Sequence, residues 1–168
     1  GSRHRTSAER RQTYQAMLEK VRSIPGVISA GAVRDLPFHG DGEQISFLPP
    51  GGTPGPNGER PPAILMFTSD GFFKAMGIPL IAGRDLSPQD GPGAPLVFVI
   101  NQALAKKYFP GQNPVGQTLI LGDTNHIPIV GLVGDVRQKS VDETPEPRIY
   151  ASVYQIFRVN VNLVVRTQ

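Results

Sequence analysis

Short apolar runs bounded by turn residues make up most of this chain, and helical periodicity is confined to a few segments. The clearest helix is the first, where apolar side chains recur at the i, i+3, i+4 and i+7 spacing of one buried stripe. The stripe consists of Tyr14, Met17, Leu18 and Val21. Thr6, followed three residues later by Glu9, predicts a capping box at the start, and Pro25-Gly26 predicts the end.

Strand-length segments follow, and most of them are separated by Gly, Pro, Asn or Asp. The predicted strands are Val27–Val33, Glu43–Leu48, Ala63–Thr68, Leu96–Ile100, Gln117–Leu121, Ile127–Val136, Arg148–Val153 and Val159–Arg166. Two more helices are predicted, one after the N-cap candidates Ser69 and Asp70 and one after Asn101. Ser87-Pro88 favours one further helical turn. We therefore predict an α+β fold, in which two to three helices lie on one side of a mixed, mostly antiparallel sheet.

Residues 49–62 differ from the rest of the chain, because ten of these fourteen positions are Pro or Gly. Pro lacks the backbone N–H and the freedom in φ that a helix or an inner strand needs. The segment lies between two predicted strands. We therefore interpret residues 49–62 as a flexible, exposed hairpin loop and not as a linker between domains.

The composition of the 168 residues favours a globular domain, since 39% of them are hydrophobic. No apolar run approaches the ~18–20 residues that a membrane span needs, so we expect this stretch of chain to be soluble. There is no cysteine, which excludes disulfides and thiolate metal sites. Residues 1–2, Gly1-Ser2, are typical of the remnant of a cleaved purification tag and are left out of the fold prediction.

The net charge is +3, and much of the excess lies near the start of the chain. Arg3, Arg5, Arg10 and Arg11 are offset there only by Glu9. This patch has no interleaved aromatic residues and no basic continuation. A solvated helix face therefore explains it better than contact with phosphates or lipid headgroups, and no nucleic acid is expected as a partner.

The segment with the spacing of metal ligands is His39-x-Asp41-x-Glu43, which His126 could join. The glycines between these residues favour a turn over a rigid set of ligands, and His126 itself fits a hairpin turn. The carboxylate pair Asp142-Glu143 falls in a polar loop, where nothing would raise a carboxylate pKa. We therefore expect no metal site.

Two other segments resemble catalytic or phosphate-binding motifs only in part. Ser69-Asp70-Gly71 lacks the S-x-x-K nucleophile and the K-T-G strand of a penicillin-binding enzyme. Residues 131–135 place glycines inside a strand, without the Gly-Lys-Ser/Thr or the following helix of a P-loop, so close strand packing explains them better. We expect no catalytic residue, no cofactor-binding residue and no enzyme activity.

Five motifs follow one another in a fixed order. They are FFKAMGIPLIAGR at residues 72–84, VFVINQALAKKYFPGQNPVGQTL at 97–119, IVGLVGDV at 129–136, EPRIYASVY at 146–154 and NLVVRT at 162–167. In this order they resemble the signatures YF…G…L..GR, V.VIN..LA...FPG.NPVG..L, IVGVVGDV, P..Y.PY and LVVRT. These belong to the MacB-like periplasmic core domain of FtsX/MacB-type ABC-transporter permeases. The resemblance runs from about residue 14 to residue 167.

The resemblance implies a domain held between two membrane helices, on the periplasmic, extracytoplasmic face of the bacterial inner membrane. It implies a porter-like lobe formed by residues 3–82 and 156–168, and an inserted, β-rich, sabre-like lobe formed by residues 83–155. The implied partners are a cognate ABC ATPase subunit acting through the membrane part, a periplasmic adaptor or outer-membrane partner, and a second copy in a full-length homodimer. The domain would couple ATP-driven movement in the cytoplasm to export or to envelope partners.

The sequence departs from this family at its end, because members continue past the LVVRT strand with a further helix and strand. Either the sequence was trimmed at this end, or the porter-like lobe is incomplete at Gln168. The residues themselves leave open a stand-alone extracytoplasmic ligand-binding or adhesion module, which the loop at 49–62 and the lack of catalytic groups would suit. A hydrolase using Ser69 or His39 is the third hypothesis, and the missing motifs weigh against it.

Overall fold

The computed structural model describes residues 6–34, 42–136, 142–155 and 161–168, and all statements below concern these residues. Within them the helices are α1 (Ser7–Arg22), α2 (Phe72–Met76) and α3 (Gln102–Tyr108), and a 3-10 turn spans Val153–Gln155. The strands are β1 (Val27–Val33), β2 (Glu43–Ser46), β3 (Pro62–Thr68), β4 (Leu80–Gly83), β5 (Phe98–Asn101), β6 (Thr118–Leu121), β7 (Asn125–Val133), β8 (Arg148–Ser152) and β9 (Asn162–Thr167).

Helix α1 begins where the sequence predicted. The Thr6 hydroxyl accepts a hydrogen bond from the Glu9 N–H at 3.3 Å, and the Glu9 carboxylate accepts one from the Thr6 N–H at 2.6 Å. These two bonds satisfy backbone donors that an uncapped helix end leaves free. Leu18 is 1% exposed, and α1 packs against β1, so the apolar stripe faces the sheet as expected.

The strands form one mixed sheet in the order β4-β7-β5-β8-β3-β1-β9, with β2 added beside β3 and β6 beside β7. The pairs β3–β8 and β5–β7 are parallel, and the other neighbouring pairs are antiparallel. The predicted α+β class with a mixed, mostly antiparallel sheet is therefore confirmed. The first residues of the predicted strand Val159–Arg166 lie outside the described residues, and β9 begins at Asn162.

The sheet is buried on both faces at its centre. Successive residues of a strand point to opposite faces, and along β5 they belong alternately to two separate apolar clusters. Phe98 and Ile100 lie in the cluster that includes Leu104 of α3, whereas Val99 lies in the cluster that includes Phe72 of α2. Helices α2 and α3 therefore cover opposite faces, and the expectation that the helices lie on one side is wrong in this detail. A central strand that is apolar on both faces needs a covering layer on each.

The pairing of the sheet is weakest between β1 and β3. These strands share one register pair, Val33 opposite Thr68, whereas β1 pairs with β9 at six positions and β3 with β8 at five. We call α1, β1 and β9 the end unit, because they lie beyond this junction. The end unit is joined to the rest of the sheet by few backbone hydrogen bonds, so other contacts have to fix its position.

Two connecting segments are organised by charged side chains. In the hairpin loop 49–62, between β2 and β3, Arg60 donates to the carboxylate of Asp123 at 2.7 Å and to the Gly122 carbonyl in the β6–β7 turn. Its predicted flexibility stays a prediction. Between β4 and β5, the Asp90 carboxylate accepts hydrogen bonds from the Ser87 N–H and from Arg84. This arrangement holds a turn, so the helical turn predicted at Ser87-Pro88 is wrong.

Asn101 joins the start of α3 to the start of β8. Its Oδ1 accepts hydrogen bonds from the Leu104 N–H at 3.1 Å and the Arg148 N–H at 2.9 Å, and its Nδ2 donates to the Glu146 carbonyl at 2.8 Å. The side chain is 1% exposed, so water cannot replace these bonds. The predicted N-cap is confirmed, and it also fixes a strand that starts 47 residues later in the chain.

We expect Asn101→Ala to lower the free energy of unfolding by about 3 kcal/mol, because three backbone groups lose their partner in a dry environment. Asn113→Ala is the matched control. Asn113 is exposed and makes one hydrogen bond to the Val115 N–H, so its loss should cost about 0.5 kcal/mol or less. Urea unfolding followed by circular dichroism measures both. Equal losses in the two variants would contradict this account of Asn101.

Candidate functional site

Of the four residues considered as metal ligands, the structure describes only Glu43 and His126. His39 and Asp41 lie outside the described residues. Glu43 is on β2 and forms an ion pair with Arg34 at 2.8 Å, and His126 is on β7 opposite Ile120 of β6. In the part of the chain that the structure describes, no group of three or more His, Cys, Asp or Glu side chains could hold a metal ion.

The glycine run at 131–135 serves packing, as the sequence indicated. Gly131 of β7 lies opposite Gly83 of β4, and a Cβ at Gly131 would strike the Arg84 carbonyl oxygen. Asp135, at the end of the run, accepts a hydrogen bond from the Ala103 N–H at 2.9 Å in the first turn of α3. A carboxylate at this position suits the positive end of the helix. The run thus brings β4, β7 and α3 together.

Ser69 is not a helix cap. Its hydroxyl accepts a hydrogen bond from the Ala32 N–H at 2.8 Å and donates to the Asp70 carbonyl at 2.8 Å, and its own N–H donates to the Ala32 carbonyl. The N-cap of α2 is Gly71, with φ of 79° and no side-chain cap. The N-cap prediction for Ser69 and Asp70 is therefore wrong. Ser69 is fully buried beside β1, and it continues the β1–β3 pairing past the last residue of β3.

The polar feature with most long-range contacts is centred on Asp70. The Arg22 guanidinium, at the end of α1, donates to the Asp70 carboxylate at 3.2 Å and to the Asp70 carbonyl at 3.0 Å. It also donates twice to the Ala30 carbonyl of β1, at 2.8 and 3.2 Å. The Tyr154 hydroxyl donates to the other carboxylate oxygen of Asp70 at 3.0 Å. We call Arg22, Asp70, Gly71, Asp85 and Tyr154 the Asp70 cluster.

Burial is the main influence on the pKa values of Tyr154 and Asp85. Burial first, and the nearby Asp70 carboxylate second, raise the pKa of Tyr154 well above its ordinary value, so its hydroxyl stays a hydrogen-bond donor. Burial also raises the pKa of Asp85, while hydrogen bonds from the Gly71 and Leu86 N–H groups act in the opposite direction. Hydrogen bonds join both groups to other chain segments, so the arrangement holds these segments in position.

Two glycines allow the close approach on which the Asp70 cluster depends. A Cβ at Gly71 would lie 2.5 Å from the Ala30 carbonyl oxygen and 2.6 Å from the Arg22 guanidinium. A Cβ at Gly31 would strike the backbone of Phe72, the first residue of α2. The start of α2 therefore rests directly on the backbone of β1, and a larger residue at either position would push them apart.

Sequence reasoning missed this cluster. From the sequence, Asp70 was expected only to cap α2. The partners of Asp70 are 48 residues before it and 84 residues after it, so no local spacing reveals them. The one signal was Tyr154, which closes a family motif without any evident local role.

A model of the family of MacB-like periplasmic core domains matches residues 6–168. The chain belongs to this family. Its members are periplasmic domains of ABC-type transporter permeases, which confirms the resemblance and the extracytoplasmic location expected from the sequence. No curated protein sequence matches the chain. Within the described residues, no helix has the length and apolar character needed to cross a bilayer.

Three solved structures share the fold of this MacB-like domain. The periplasmic region of MacB from Actinobacillus actinomycetemcomitans has a TM-score of 0.55 at 17% identity, and the alignment covers 92% of this chain and 64% of that one. The extracellular domain of the ABC-type transporter YknZ from Gram-positive bacteria has a TM-score of 0.53 at 13% identity, with coverage of 92% and 73%. A permease domain from Porphyromonas gingivalis has a TM-score of 0.56 at 17% identity, with coverage of 92% and 66%.

We expect Gly71→Ala to lower the free energy of unfolding by about 3 kcal/mol, because the new methyl group meets Ala30 and Arg22 and the residue has a positive φ. Gly111→Ala is the matched control. Gly111 also has a positive φ, 69°, but nothing lies within 4 Å of its Cβ position, so only the backbone strain of about 1 kcal/mol applies. Chemical unfolding of both variants separates strain from the steric contact. A Gly71 variant no less stable than the control would refute the close approach.

Proposed function

We propose that this domain transmits movement between the membrane part of an ABC-type permease and partners in the envelope. The match of residues 6–168 to the family of MacB-like periplasmic core domains carries the proposal. In this role the domain acts through its shape and through the rigidity of its links.

Helix α1 is the element through which movement would enter. It is bound to the rest of the domain near both of its ends, since the Arg11 side chain lies against Gly91 and the Arg22 side chain binds Asp70. Strand β9 is coupled to it through β1, and the Gln168 N–H donates to the Gly26 carbonyl at 3.1 Å. A displacement of α1 therefore moves β1 and β9 together with it, as the proposal requires.

The proposal includes the partners that the family resemblance implies. A cognate ATPase subunit would act through the membrane part, and a periplasmic adaptor, an outer-membrane partner or a second copy would meet this domain outside the membrane. Large apolar side chains are exposed on the outermost strands of the sheet, at Leu80 and Ile81 of β4 and at Leu163 and Val165 of β9. These positions offer apolar surface for such contacts.

We also infer that the domain is not an enzyme. Ser69, the residue considered as a nucleophile, is fully buried, and its hydroxyl bonds to the Ala32 N–H and the Asp70 carbonyl. An activated serine needs a base beside its hydroxyl and access for the substrate. Ser69 has a backbone donor and a backbone acceptor there instead, which supports a structural role.

The proposal predicts that ATP moves this domain relative to the bilayer in the full-length permease with its ATPase. The chain has no cysteine, so Thr124→Cys, an exposed residue in the β6–β7 turn, gives a unique labelling site in a cysteine-free parent. Energy transfer from this label to acceptor lipids in a nanodisc should change when ATP is added. An ATPase variant that cannot bind ATP is the control.

Identical transfer with and without ATP, in a preparation that hydrolyses ATP, would overturn the proposed transmission. A parent chain without hydrophobic segments on either side of this domain would overturn the membrane tether itself. The two results are independent, because the first concerns coupling and the second concerns attachment.

A further inference from the structure

We propose that Arg22, Asp70 and Tyr154 form a latch that fixes the end unit, α1, β1 and β9, in one position on the rest of the domain. The latch rests on the proposed function only for the origin of the movement that would open it. Its existence is a property of this chain alone. It also gives the domain a defined place at which two arrangements can interconvert.

The junction needs such a device because the sheet is thinly paired there. Between β1 and β3 the described backbone bonds are those of Ala32 with Ser69 and of the Arg34 N–H with the Phe67 carbonyl. Two residues earlier in β1, the Ala30 carbonyl has no strand partner on the side of β3, because the chain turns away at Asp70. The Arg22 guanidinium takes the place of the missing strand by donating twice to this carbonyl.

Asp70 connects the two sides of the junction. Its Oδ2 accepts from Arg22 of the end unit, and its Oδ1 accepts from Tyr154 in the 3-10 turn that follows β8. The two oxygens thus bind partners from opposite sides, and the carboxylate is the shared link between them. Removing its charge should loosen both contacts at once.

The exposure of these groups makes the latch reversible. The Arg22 and Asp70 side chains keep 33% and 26% of their accessible surface, so water can solvate both when they separate. A partly exposed pair of this kind holds geometry without the large penalty of a fully buried pair that is broken. By contrast, Phe72 and Phe73 of α2 are buried with Tyr150, with Phe73 and Tyr150 rings 4.8 Å apart at 90°. The apolar contacts keep the domain folded while the latch opens.

Spin labels at Glu19→Cys on α1 and Lys106→Cys on α3 test the latch in the 168-residue chain. Both residues are exposed, and they lie on opposite sides of the junction. In the labelled chain with Arg22, Asp70 and Tyr154 unchanged, pulsed electron paramagnetic resonance should give one narrow distance distribution. In Arg22→Gln and Asp70→Asn we expect the distribution to broaden about twofold or to gain a second distance.

Arg60→Gln is the matched control, because Arg60 also binds a carboxylate and a backbone carbonyl but lies in the 49–62 loop. It should leave the distribution unchanged. The double variant Arg22→Gln/Asp70→Asn should broaden the distribution no more than either single variant, since each single variant already breaks the contact between Arg22 and Asp70. Tyr154→Phe removes only the hydroxyl that binds Asp70, and it replaces the charge variants in this test if one of them does not fold. Unchanged distributions in Asp70→Asn and Tyr154→Phe would overturn the latch.

The full-length permease separates the latch from the proposed function. If the latch holds and the function is as proposed, Arg22→Gln should weaken the ATP-dependent change in energy transfer from Thr124, and Arg60→Gln should not. Broad distributions in the isolated variants together with no ATP response in the parent permease would leave the latch standing and refute the transmission. An ATP response that Arg22→Gln does not alter would show that the latch plays no part in it.

Discussion

Burial of the central strands on both faces is the constraint from which the rest of the architecture follows. All four residues of β5 and most of β8 are buried, and their side chains alternate between two apolar clusters. One face is closed by α2, whose Phe73 packs edge-on against Tyr150 of β8. The other is closed by α3 and β6 through Leu104 and Leu119. Because α2, α3 and β6 are short, caps and turns have to place each of them accurately over the sheet.

That placement uses most of the chain's distinctive polar residues. Asn101 holds α3 to β8, Asp135 holds α3 to the end of β7, and Asp90 organises the segment between β4 and β5. Burial opposes the charged form of Asp90, but hydrogen bonds from Arg84 and the Ser87 N–H outweigh it, so the pKa of Asp90 is lowered. Several residues of the family motifs, such as Asn101 and Asp135, therefore hold structural elements together. A motif can identify a family in this way even when its residues have no catalytic role.

The contacts are unevenly distributed between the main sheet and the end unit. Apolar packing and strand pairing are dense within the main sheet. The end unit is attached through one register pair, the contacts of α2 with β1 and β9, the Arg11 side chain against Gly91, and the Asp70 cluster. A protein that passes movement along needs stiff parts and a small number of defined links between them. The periplasmic domain of a permease is a setting in which such a division is useful.

The sequence alone determined the helices, strands and turns that depend on local periodicity and caps. The capping box at Thr6 and the N-cap at Asn101 rest on contacts within a few residues, so their spacing is visible in the chain. The α+β class followed from these elements, and the order of motifs indicated the family.

Only the tertiary structure decided which strands pair, on which faces the helices lie and what Arg22, Ser69 and Tyr154 do. Each of these is settled by packing between segments far apart in the chain, where the Ala30 carbonyl and the partly buried Asp70 carboxylate need partners. Buried polar groups must be satisfied, but nothing in the local sequence says which distant residue will satisfy them. For that reason the caps were predictable and the Asp70 cluster was not.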